Sequence, residues 1–259
     1  LFNVFKGRNM NFLTNHTLSL NLDDIKDSFI KTFITEDRWL QLVKGLGVTL
    51  EITLFACLLG IVIGFIVAAV RATYDKNLSY RKCRNIGDVI LKFFNAICNI
   101  YLTVIRGTPV VVQLMIWYFV ILVSAEDIPI AIVAFGLNSG AYVAEIMRSG
   151  IMSIDEGQTE AGRSLGLNYV QTMVFIVLPQ AFKNILPALA NEFIVLLKET
   201  SVSGYVALQD LTKGGDIIRG RTYDAFFPLL AVAAIYLVLV MFFSWLVSLL
   251  ERRLRKSER

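Results

Sequence analysis

Three long apolar runs limit what this sequence can fold into. They cover residues 46–70, 107–125 and 225–250, and Glu51 is the only charged residue among them. Each run is long enough for a helix that crosses a bilayer, which needs roughly 18 or more apolar residues. Because the hydrocarbon core offers no water to the backbone, such a run must satisfy its own N–H and C=O groups as a helix. With 56% hydrophobic and 18% charged residues, the chain is predicted to be an all-α membrane protein.

Two further spans are predicted from weaker patterns. Residues 128–144 are uncharged but short, and residues 142–151 are needed to complete a crossing. Residues 183–204 contain Pro187 and several charges, so this helix must face protein or water and not lipid. The sequence therefore predicts five transmembrane helices.

Two clusters of basic residues determine the predicted orientation. One follows the first span and the other follows the last; they comprise Arg71, Lys76, Arg81, Lys82 and Arg84, and then Arg252, Arg253, Arg255, Lys256 and Arg259. Because cytoplasmic loops are enriched in Lys and Arg, both clusters are predicted to be cytoplasmic. The N-terminus would then lie outside and the C-terminus inside.

An even number of crossings must separate the two clusters, so residues 86–125 can supply only one. Residues 86–105 carry Lys92 and two asparagines, and they are predicted to form a helix at the cytoplasmic face or against the bundle. The second span would begin at the Arg-Gly-Thr-Pro sequence, with Thr108 as its N-cap and Pro109 as its first helical residue.

The polar loop 153–179 lies between the third and fourth spans and is predicted to be cytoplasmic. Ser153 followed by Glu156 is a capping-box pattern, which starts a helix. This helix is predicted to end at about Leu165. Gly166 then occupies the position where a helix end favours a residue in the left-handed conformation.

A second cap pattern follows at once, in Asn168 and Gln171, so another short helix begins directly after Gly166. Two helices that meet at a glycine corner form a compact knob, which could insert into a groove on a partner. Helix-turn-helix motifs that bind DNA also have this form. The flanking membrane spans argue against that function, and no nucleic acid is expected as a partner.

The spacing in this loop resembles the signature of the permeases of bacterial ATP-binding-cassette (ABC) importers. The matching residues are Glu160, Ala161, Gly166, Ile176, Leu178 and Pro179. The third position, normally alanine, is Gly162, which stays small but loosens the helix by about 1 kcal/mol. The resemblance implies the type I importer permease fold and a loop that docks into an ATP-hydrolysing subunit. It assigns that coupling to Glu160, Ala161, Gly162, Gly166, Leu178 and Pro179.

Further short sequences resemble the polar amino acid branch of these importers, of the histidine, glutamine and arginine type. They are residues 45–50, 106–109 with Gln113, 141–148, 157–161 and 191–201. The resemblance implies a protein of the cell membrane that works with three kinds of protein partner. These are a dimer of ATP-binding subunits, which would hold ATP and Mg²⁺, an extracytoplasmic solute-binding protein, and a second permease chain that is identical or homologous. The lipid bilayer is the fourth partner.

The expected organisation has three parts. Residues 1–40, which the resemblance does not cover, would be a polar extracytoplasmic segment. Residues 41–250 would form the transmembrane domain, and residues 251–259 a basic cytoplasmic tail. The segment 200–224 would be external, and its mixed charge suits either docking of the solute-binding protein or a solvated loop.

Several enzyme classes are excluded by what the sequence lacks. His16 is the only histidine, and Cys57, Cys83 and Cys98 have no metal or redox spacing, which excludes His-based catalysis and most zinc sites. No Gly-x4-Gly-Lys-Ser/Thr phosphate loop occurs in the sequence. The chain is therefore expected to bind no ATP, cofactor or metal itself and not to be an enzyme.

Polar residues within the spans are candidates for the solute pathway or its gate. Glu192, beside Asn191, lies near the middle of the fourth span, where a charge must be paired or hydrated; a structural pair with a lysine or a backbone group is the alternative. Asn138 and Ser139 would contact a polar solute or bond across helices. Glu51, about one turn inside the outer boundary, would attract a cation or simply reach water.

Two alternatives stay open at this point. Glu145 and Arg148 are three residues apart on one helical face, so an intrahelical ion pair is their default assignment. A stand-alone ion-coupled carrier or channel would also place polar residues in its spans. Such carriers typically contain inverted repeats, and no segment of this sequence repeats another.

Overall fold

The computed structural model describes residues 22–78 and 83–256, and every regular element in this part is helical. His16, Arg81, Lys82 and Arg259 lie outside the described residues. The α-helices are α1 (Leu22–Phe29), α2 (Trp39–Asn77), α3 (Ile86–Gly107), α4 (Val110–Ile116), α5 (Asp127–Met152), α6 (Glu156–Ser164), α7 (Tyr169–Thr172), α8 (Leu178–Glu199), α9 (Leu211–Thr222) and α10 (Phe226–Lys256). Wider π-type turns continue α1, α4 and α7 over Ile30–Ile34, Trp117–Ile121 and Met173–Val177.

Within the described ranges, five helices are long and apolar enough to cross a membrane. They are Trp39–Lys76, Ile86–Gly107, Asp127–Met152, Tyr169–Val206 and Phe226–Leu254. The predicted all-α membrane class and the number of five spans are confirmed. The second of these five helices differs from the prediction. It is Ile86–Gly107, whereas residues 107–125, which were predicted to form the second span, contain only the shorter apolar helix Val110–Ile121.

Helices α2 and α5 form the centre of the bundle and run in the same direction. A Cβ atom added to Gly60 would lie 3.1 Å from Ser139 and Gly140, and one added to Gly64 would lie 2.4 Å from Val143. These glycines let the two backbones approach closely. Residues later in α2 contact residues later in α5, so the two helices are parallel. The chain that connects the end of α2 to the start of α5 must therefore cross the bundle once in the opposite direction. We call the end where α2 and α5 finish the loop end, and the opposite end the far end.

The return crossing runs antiparallel to α5 and uses the last turn of α3 together with α4. As residue numbers rise along this segment, the numbers of their partners on α5 fall. Three pairs show this order: Arg106 with Glu145 at 3.7 Å, Gln113 with Asn138 at 3.1 Å, and Tyr118 with Asp127 at 2.8 Å.

Val110–Ile121 alone is too short for this crossing. At 1.5 Å per residue it rises about 18 Å, against about 30 Å of hydrocarbon. The prediction that residues 107–125 form the second span is therefore wrong in extent, because the last turn of α3, with Arg106, belongs to the same crossing. The second half of α3 does lie against the bundle, where Leu102 is buried and the Tyr101 hydroxyl donates to the Leu137 carbonyl oxygen at 2.6 Å, whereas most residues of its first half are exposed.

The predicted start of the second span is also wrong in detail. Pro109 is the N-cap of α4, and the first helical residue is Val110. The Thr108 hydroxyl donates to the Val104 carbonyl oxygen at 2.8 Å and accepts from the Gln113 side chain at 2.7 Å. Thr108 therefore closes α3 and does not cap α4 through its own side chain.

At the far end, α9 lies tightly against the start of α2. A Cβ atom at Gly45 would be 2.4 Å from the Asp210 carbonyl oxygen, and one at Gly214 would be 2.7 Å from that of Gln41. The Leu211 N–H donates to the Thr49 hydroxyl at 3.0 Å. Residues 200–224 thus form an ordered part of the bundle.

The N-terminal segment and α10 complete the far end. Phe33 is buried in a cluster with Leu42, Leu211, Ile218 and Val232. Helix α10 then runs antiparallel to α8, where the rings of Phe193 and Phe243 have centroids 5.0 Å apart. Arg252 and Arg253 follow at its loop end.

Candidate functional site

The glycine corner predicted in loop 153–179 is present. Gly166 has φ +82°, the left-handed conformation that glycine adopts without a steric penalty. Its N–H donates to the Arg163 carbonyl oxygen at 3.0 Å, and the Leu167 N–H donates to that of Gly162 at 3.1 Å. This pair of bonds is a Schellman motif. It satisfies the last carbonyl groups of α6 and turns the chain sharply.

The predicted start of α6 is wrong by two residues. Asp155, and not Ser153, is the N-cap, and its carboxylate accepts from the Gly157 N–H at 2.7 Å. The Ser153 hydroxyl instead donates to the Gly150 carbonyl oxygen at 2.8 Å. It also accepts from the Asn184 side chain at 3.1 Å. Ser153 therefore joins α5 to α8 and is not available to cap α6.

The second cap is as predicted. The side chains and backbone N–H groups of Asn168 and Gln171 form reciprocal hydrogen bonds, each of 2.9 Å. Helix α7 packs back onto α6 at Gly162, where an added Cβ atom would lie 2.7 Å from Thr172 and 2.9 Å from Ile176. Gly162, which replaces the usual alanine, thus lies where α6 and the segment that begins with α7 come closest together.

The surface of the knob combines a carboxylate with exposed apolar side chains. Glu160, Ala161, Gly166 and Pro179 are exposed, whereas Leu178 is half-buried and Gly162 is buried. Leu165, just after α6, is 79% exposed, and Val170 on α7 is 66% exposed. Apolar side chains so exposed are typical of a surface that another protein covers.

The base of the knob is fixed to α8. A Cβ atom at Gly150 would lie 2.3 Å from the Ile185 side chain, so α5 and α8 are in close contact there. The Gln180 side chain donates to Gln158 at 3.3 Å. A force applied to α6 would therefore reach α5 and α8 together.

Inside the bundle, the predicted polar residues form two hydrogen-bonded pairs. The Ser139 hydroxyl donates to the Glu192 carboxylate at 3.0 Å, and the Asn138 amide donates to Gln113 at 3.1 Å. Glu192 is 7% exposed and Asn138 is 3% exposed. Gln113 was noticed in the sequence only as part of a resemblance, and it also donates to the Ile105 carbonyl oxygen at 2.7 Å.

Glu192 has no basic partner within ion-pair distance among the residues that the structure describes. The structural ion pair between Glu192 and a lysine, which the sequence left open as an alternative, is thus absent from the described part of the chain. Asn191 and Glu51 are exposed, and neither is hydrogen-bonded to Glu192 in the described part. The structure therefore joins Glu192 to Ser139 and separates both from Asn191.

Near the loop end, an ion cluster extends the predicted pair of Glu145 and Arg148. Those two side chains lie 2.9 Å apart, and Arg148 also lies 3.2 Å from Asp75 at the end of α2. Arg106 of α3 approaches Glu145 at 3.7 Å. From the sequence, Asp75 was noted only as the one acid among the basic residues that follow the first span, and its ion pair with Arg148 was not predicted.

The chain is similar to proteins of one family over most of its length. The sequence profile of the binding-protein-dependent transport system inner membrane components matches residues 89–256. The putative glutamine transport system permease protein GlnP of Rickettsia typhi is 36% identical over 219 residues, covering 83% of this chain and 93% of its own length. The arginine transport system permease protein ArtQ of Bacillus subtilis is 35% identical over 221 residues, covering 84% and 94%.

Solved structures show the same fold. The crystal structure of an amino acid ABC transporter with histidines is 38% identical, has a TM-score of 0.74, and covers 85% of this chain and 98% of its own. An inward-facing MetNI methionine ABC transporter, at 21% identity, has a TM-score of 0.69 and covers 83% and 97%. The fold is therefore that of a type I ABC importer permease, and the chain belongs to the binding-protein-dependent transport system inner membrane components.

Proposed function

We propose that this chain is the membrane subunit of an ATP-driven importer and carries a polar amino acid into the cytoplasm. The observation that carries the proposal is the knob of α6 and α7. It exposes Glu160 and apolar side chains at one end of the bundle and is fixed at its base to α5 and α8. A surface of this kind suits docking into a separate ATP-hydrolysing subunit.

The proposed mechanism is alternating access. When two ATP-binding subunits close on ATP and Mg²⁺, they would pull the knob, and α5 and α8 would move with it because of the contacts at Gly150 and Ser153. The path for solute would then open outward. Hydrolysis would release the knob and return the path to its inward-open state.

The proposed orientation has the knob in the cytoplasm and the far end outside. Arg71, Arg84, Arg252 and Arg253 all lie at or near the loop end, which agrees with the enrichment of basic residues in cytoplasmic loops. A solute-binding protein would then deliver its ligand at the far end, near α9. A second permease chain, identical or homologous, would complete the path.

Two observations support a polar amino acid as the solute: the names of similar permeases, and the polar side chains inside the bundle. The names of the similar permeases refer to glutamine and arginine. Inside the bundle, Ser139, Asn138 and Glu192 offer hydroxyl, amide and carboxyl groups, which match the hydrogen-bonding groups of a polar amino acid.

The direct test is uptake in vesicles. The chain would be reconstituted with the proposed ATP-binding subunits and solute-binding protein, and uptake of labelled glutamine and arginine would be measured with and without ATP. We expect uptake only when all components and ATP are present. Uptake by the chain alone, driven by an ion gradient, would instead show a stand-alone carrier and would refute the proposal.

A further inference from the structure

A cavity separates the second half of α2 from the base of the knob. It has a volume of about 290 Å³ and is lined by α2, α5, α7 with the π-type turn that continues it, and the start of α8. Along α2 the lining extends from Phe65 to Thr73. At 1.5 Å per residue, this stretch is about 12 Å long. We call this space the knob-base cavity.

The walls of the knob-base cavity are apolar except toward the loop end. Met147 and Ile151 of α5 and Ile185 of α8 contribute apolar side chains. The residues that carry hydroxyl groups are Thr73 and Tyr169. The Tyr169 hydroxyl is buried and has no hydrogen-bond partner among the residues that the structure describes. Since a buried donor without a partner is costly, the cavity suits an apolar ligand that carries an acceptor at one end.

The cavity opens toward the lipid side of the bundle. Two of its lining residues are largely exposed, Phe65 at 57% and Phe182 at 55%. Phe65 continues the exposed apolar face of α2 that includes Leu58 and Val62, and such a face suits lipid chains. The space is too small for a helix of another protein, because a helix with its side chains is about 10–12 Å wide. A single acyl chain is narrow enough to enter.

A basic residue stands at the loop end of the same α2 face. Lys76 follows Ala72 by four residues and Ala69 by seven, so it lies above the cavity lining, one turn nearer the loop end. The carboxylate of Glu156 on α6 interacts with Lys76 electrostatically. No acid of the described residues lies within salt-bridge distance of Lys76. Its ammonium group is therefore available to an anion at the membrane surface.

We propose that the knob-base cavity binds one acyl chain of a membrane phospholipid whose phosphate contacts Lys76. The Tyr169 hydroxyl would donate to an ester carbonyl oxygen of the same lipid, which lies close to the phosphate along the lipid molecule. The bound chain fills the space between α2 and the base of the knob, and its dispersion contacts hold α7 against α2. The site requires only that the bundle spans a membrane, so it does not depend on the proposed transport of an amino acid.

The test uses a phosphatidylglycerol that carries a photoactivatable diazirine in one acyl chain. The full chain would be reconstituted in vesicles of phosphatidylethanolamine and phosphatidylglycerol with a small fraction of this lipid, illuminated, and its labelled residues identified by mass spectrometry. We expect labelling at Met147 and Ile151 of α5. Ile151 is only 7% exposed, so a chain that stays in the surrounding bilayer does not reach it.

A variant that fills the cavity gives the sharper comparison. Ala69 is exposed and lines the cavity, so the larger side chain of Ala69→Leu would occupy the space of the lipid chain. Labelling of α5 should fall at least about fivefold, because steric overlap opposes entry of the chain. Ala234→Leu makes the same change at an exposed position of α10, away from the cavity, and should leave the labelling of α5 unchanged.

A second variant tests the contact with the phosphate. Lys76→Gln should lower the labelling of α5 by about fivefold at low lipid concentration, since a basic residue near the surface favours an anionic lipid by about that factor. Lys92→Gln removes an exposed lysine of α3 and is the matched control. Circular dichroism would establish that all variants remain helical.

Two results would overturn the proposal. If labelling is confined to exposed side chains such as Phe65 and Phe182, and Ala69→Leu does not change it, the lipid contacts the outer surface of the bundle alone. If Met147 and Ile151 stay unlabelled and the cavity residues cross-link to a second copy of the chain, protein covers the cavity. Labelling needs neither ATP nor a partner protein, so its outcome is separate from that of the uptake experiment.

Discussion

At the residue scale, the knob depends on Gly166. Its φ of +82° lies in a region where a Cβ atom approaches the following carbonyl oxygen, which costs roughly 1–2 kcal/mol. Nothing lies within 4 Å of a Cβ atom added there, so the cost of a side chain would come from the backbone conformation alone. The corner can therefore be tested without creating a clash.

We expect Gly166→Ala to lower the free energy of unfolding by about 1 kcal/mol, because alanine disfavours the left-handed conformation. Gly166→Asn should cost less, since asparagine tolerates that conformation. Chemical unfolding in detergent would measure both. Gly220→Ala is the control, because Gly220 lies in α9 with no atom near an added Cβ. Equal losses for Gly166→Ala and Gly220→Ala would contradict this account of the corner.

Single caps show what the sequence can and cannot predict at this scale. The Asn168–Gln171 box and the Gly166 corner were predictable because their partners lie within a few residues along the chain. Ser153 was assigned wrongly because its hydroxyl bonds to Asn184, 31 residues away. Thr108 was assigned wrongly for a different, local reason: its hydroxyl donates to the Val104 carbonyl oxygen one turn back in α3. A local pattern cannot reveal that tertiary contacts already use a side chain.

At the scale of elements, the contact between α2 and α9 depends on a glycine. We expect Gly45→Ala to push α9 away from α2, because its Cβ atom would lie 2.4 Å from the Asp210 carbonyl oxygen. Overpacking of this kind typically costs about 1–3 kcal/mol. Gly47→Ala is the matched control, since no atom lies within 4 Å of its Cβ. Thermal unfolding in detergent should separate the two variants, and indistinguishable unfolding midpoints would contradict the contact.

Two carboxylates on α9 should respond to pH in opposite ways. Burial raises the pKa of Asp210, although the backbone N–H groups of Lys213 and Thr212 act against this. Hydrogen bonds from Arg219 and Lys213 lower the pKa of Asp216. Relative to the unfolded chain, the contribution of Asp210 to stability is present at low pH and is lost as pH rises through its raised pKa, whereas that of Asp216 is lost as pH falls through its lowered pKa.

The test compares Asp210→Asn and Asp216→Asn with the native chain between pH about 3 and about 7, where aspartates titrate. The stability advantage of the native chain over Asp210→Asn should shrink as pH rises, and its advantage over Asp216→Asn should grow. Unfolding in detergent at several pH values gives both differences. Slopes of the same sign for the two variants would contradict these assignments.

The extent of the second span shows the limit of prediction for elements. The sequence placed the return crossing in residues 107–125 because those residues are uncharged. In the structure, α3 ends at Gly107 and contributes to the same crossing, held by Tyr101 and by Arg106 with Glu145. Which part of a long helix crosses and which part lies against neighbours depends on packing, and hydropathy alone does not contain that information.

At the scale of the whole molecule, the bundle connects two different ends. The far end is closed by α9 and Phe33, which pack on α2 and α10. The loop end carries the knob, the ion cluster of Asp75, Glu145 and Arg148, and the basic start of the tail. The five spans and the structured loop could be predicted from the sequence because they depend on the length of apolar runs and on capping residues, which are both visible within short stretches of the chain. It did not separate Glu192 from Asn191, whose side chains face different surroundings although they are adjacent in sequence.

The central claim is that the knob transmits the work of a partner ATPase, and Glu160→Lys tests it most directly. ATP hydrolysis and amino acid uptake would be measured in vesicles that contain the chain together with the proposed ATP-binding subunits and solute-binding protein. Asp27→Lys, an exposed acid on α1 at the far end, makes the same charge change away from the knob and is the control. We expect Glu160→Lys to fold normally and to lose solute-stimulated hydrolysis and uptake, while Asp27→Lys keeps both. Undiminished coupling in a folded Glu160→Lys variant would contradict the account.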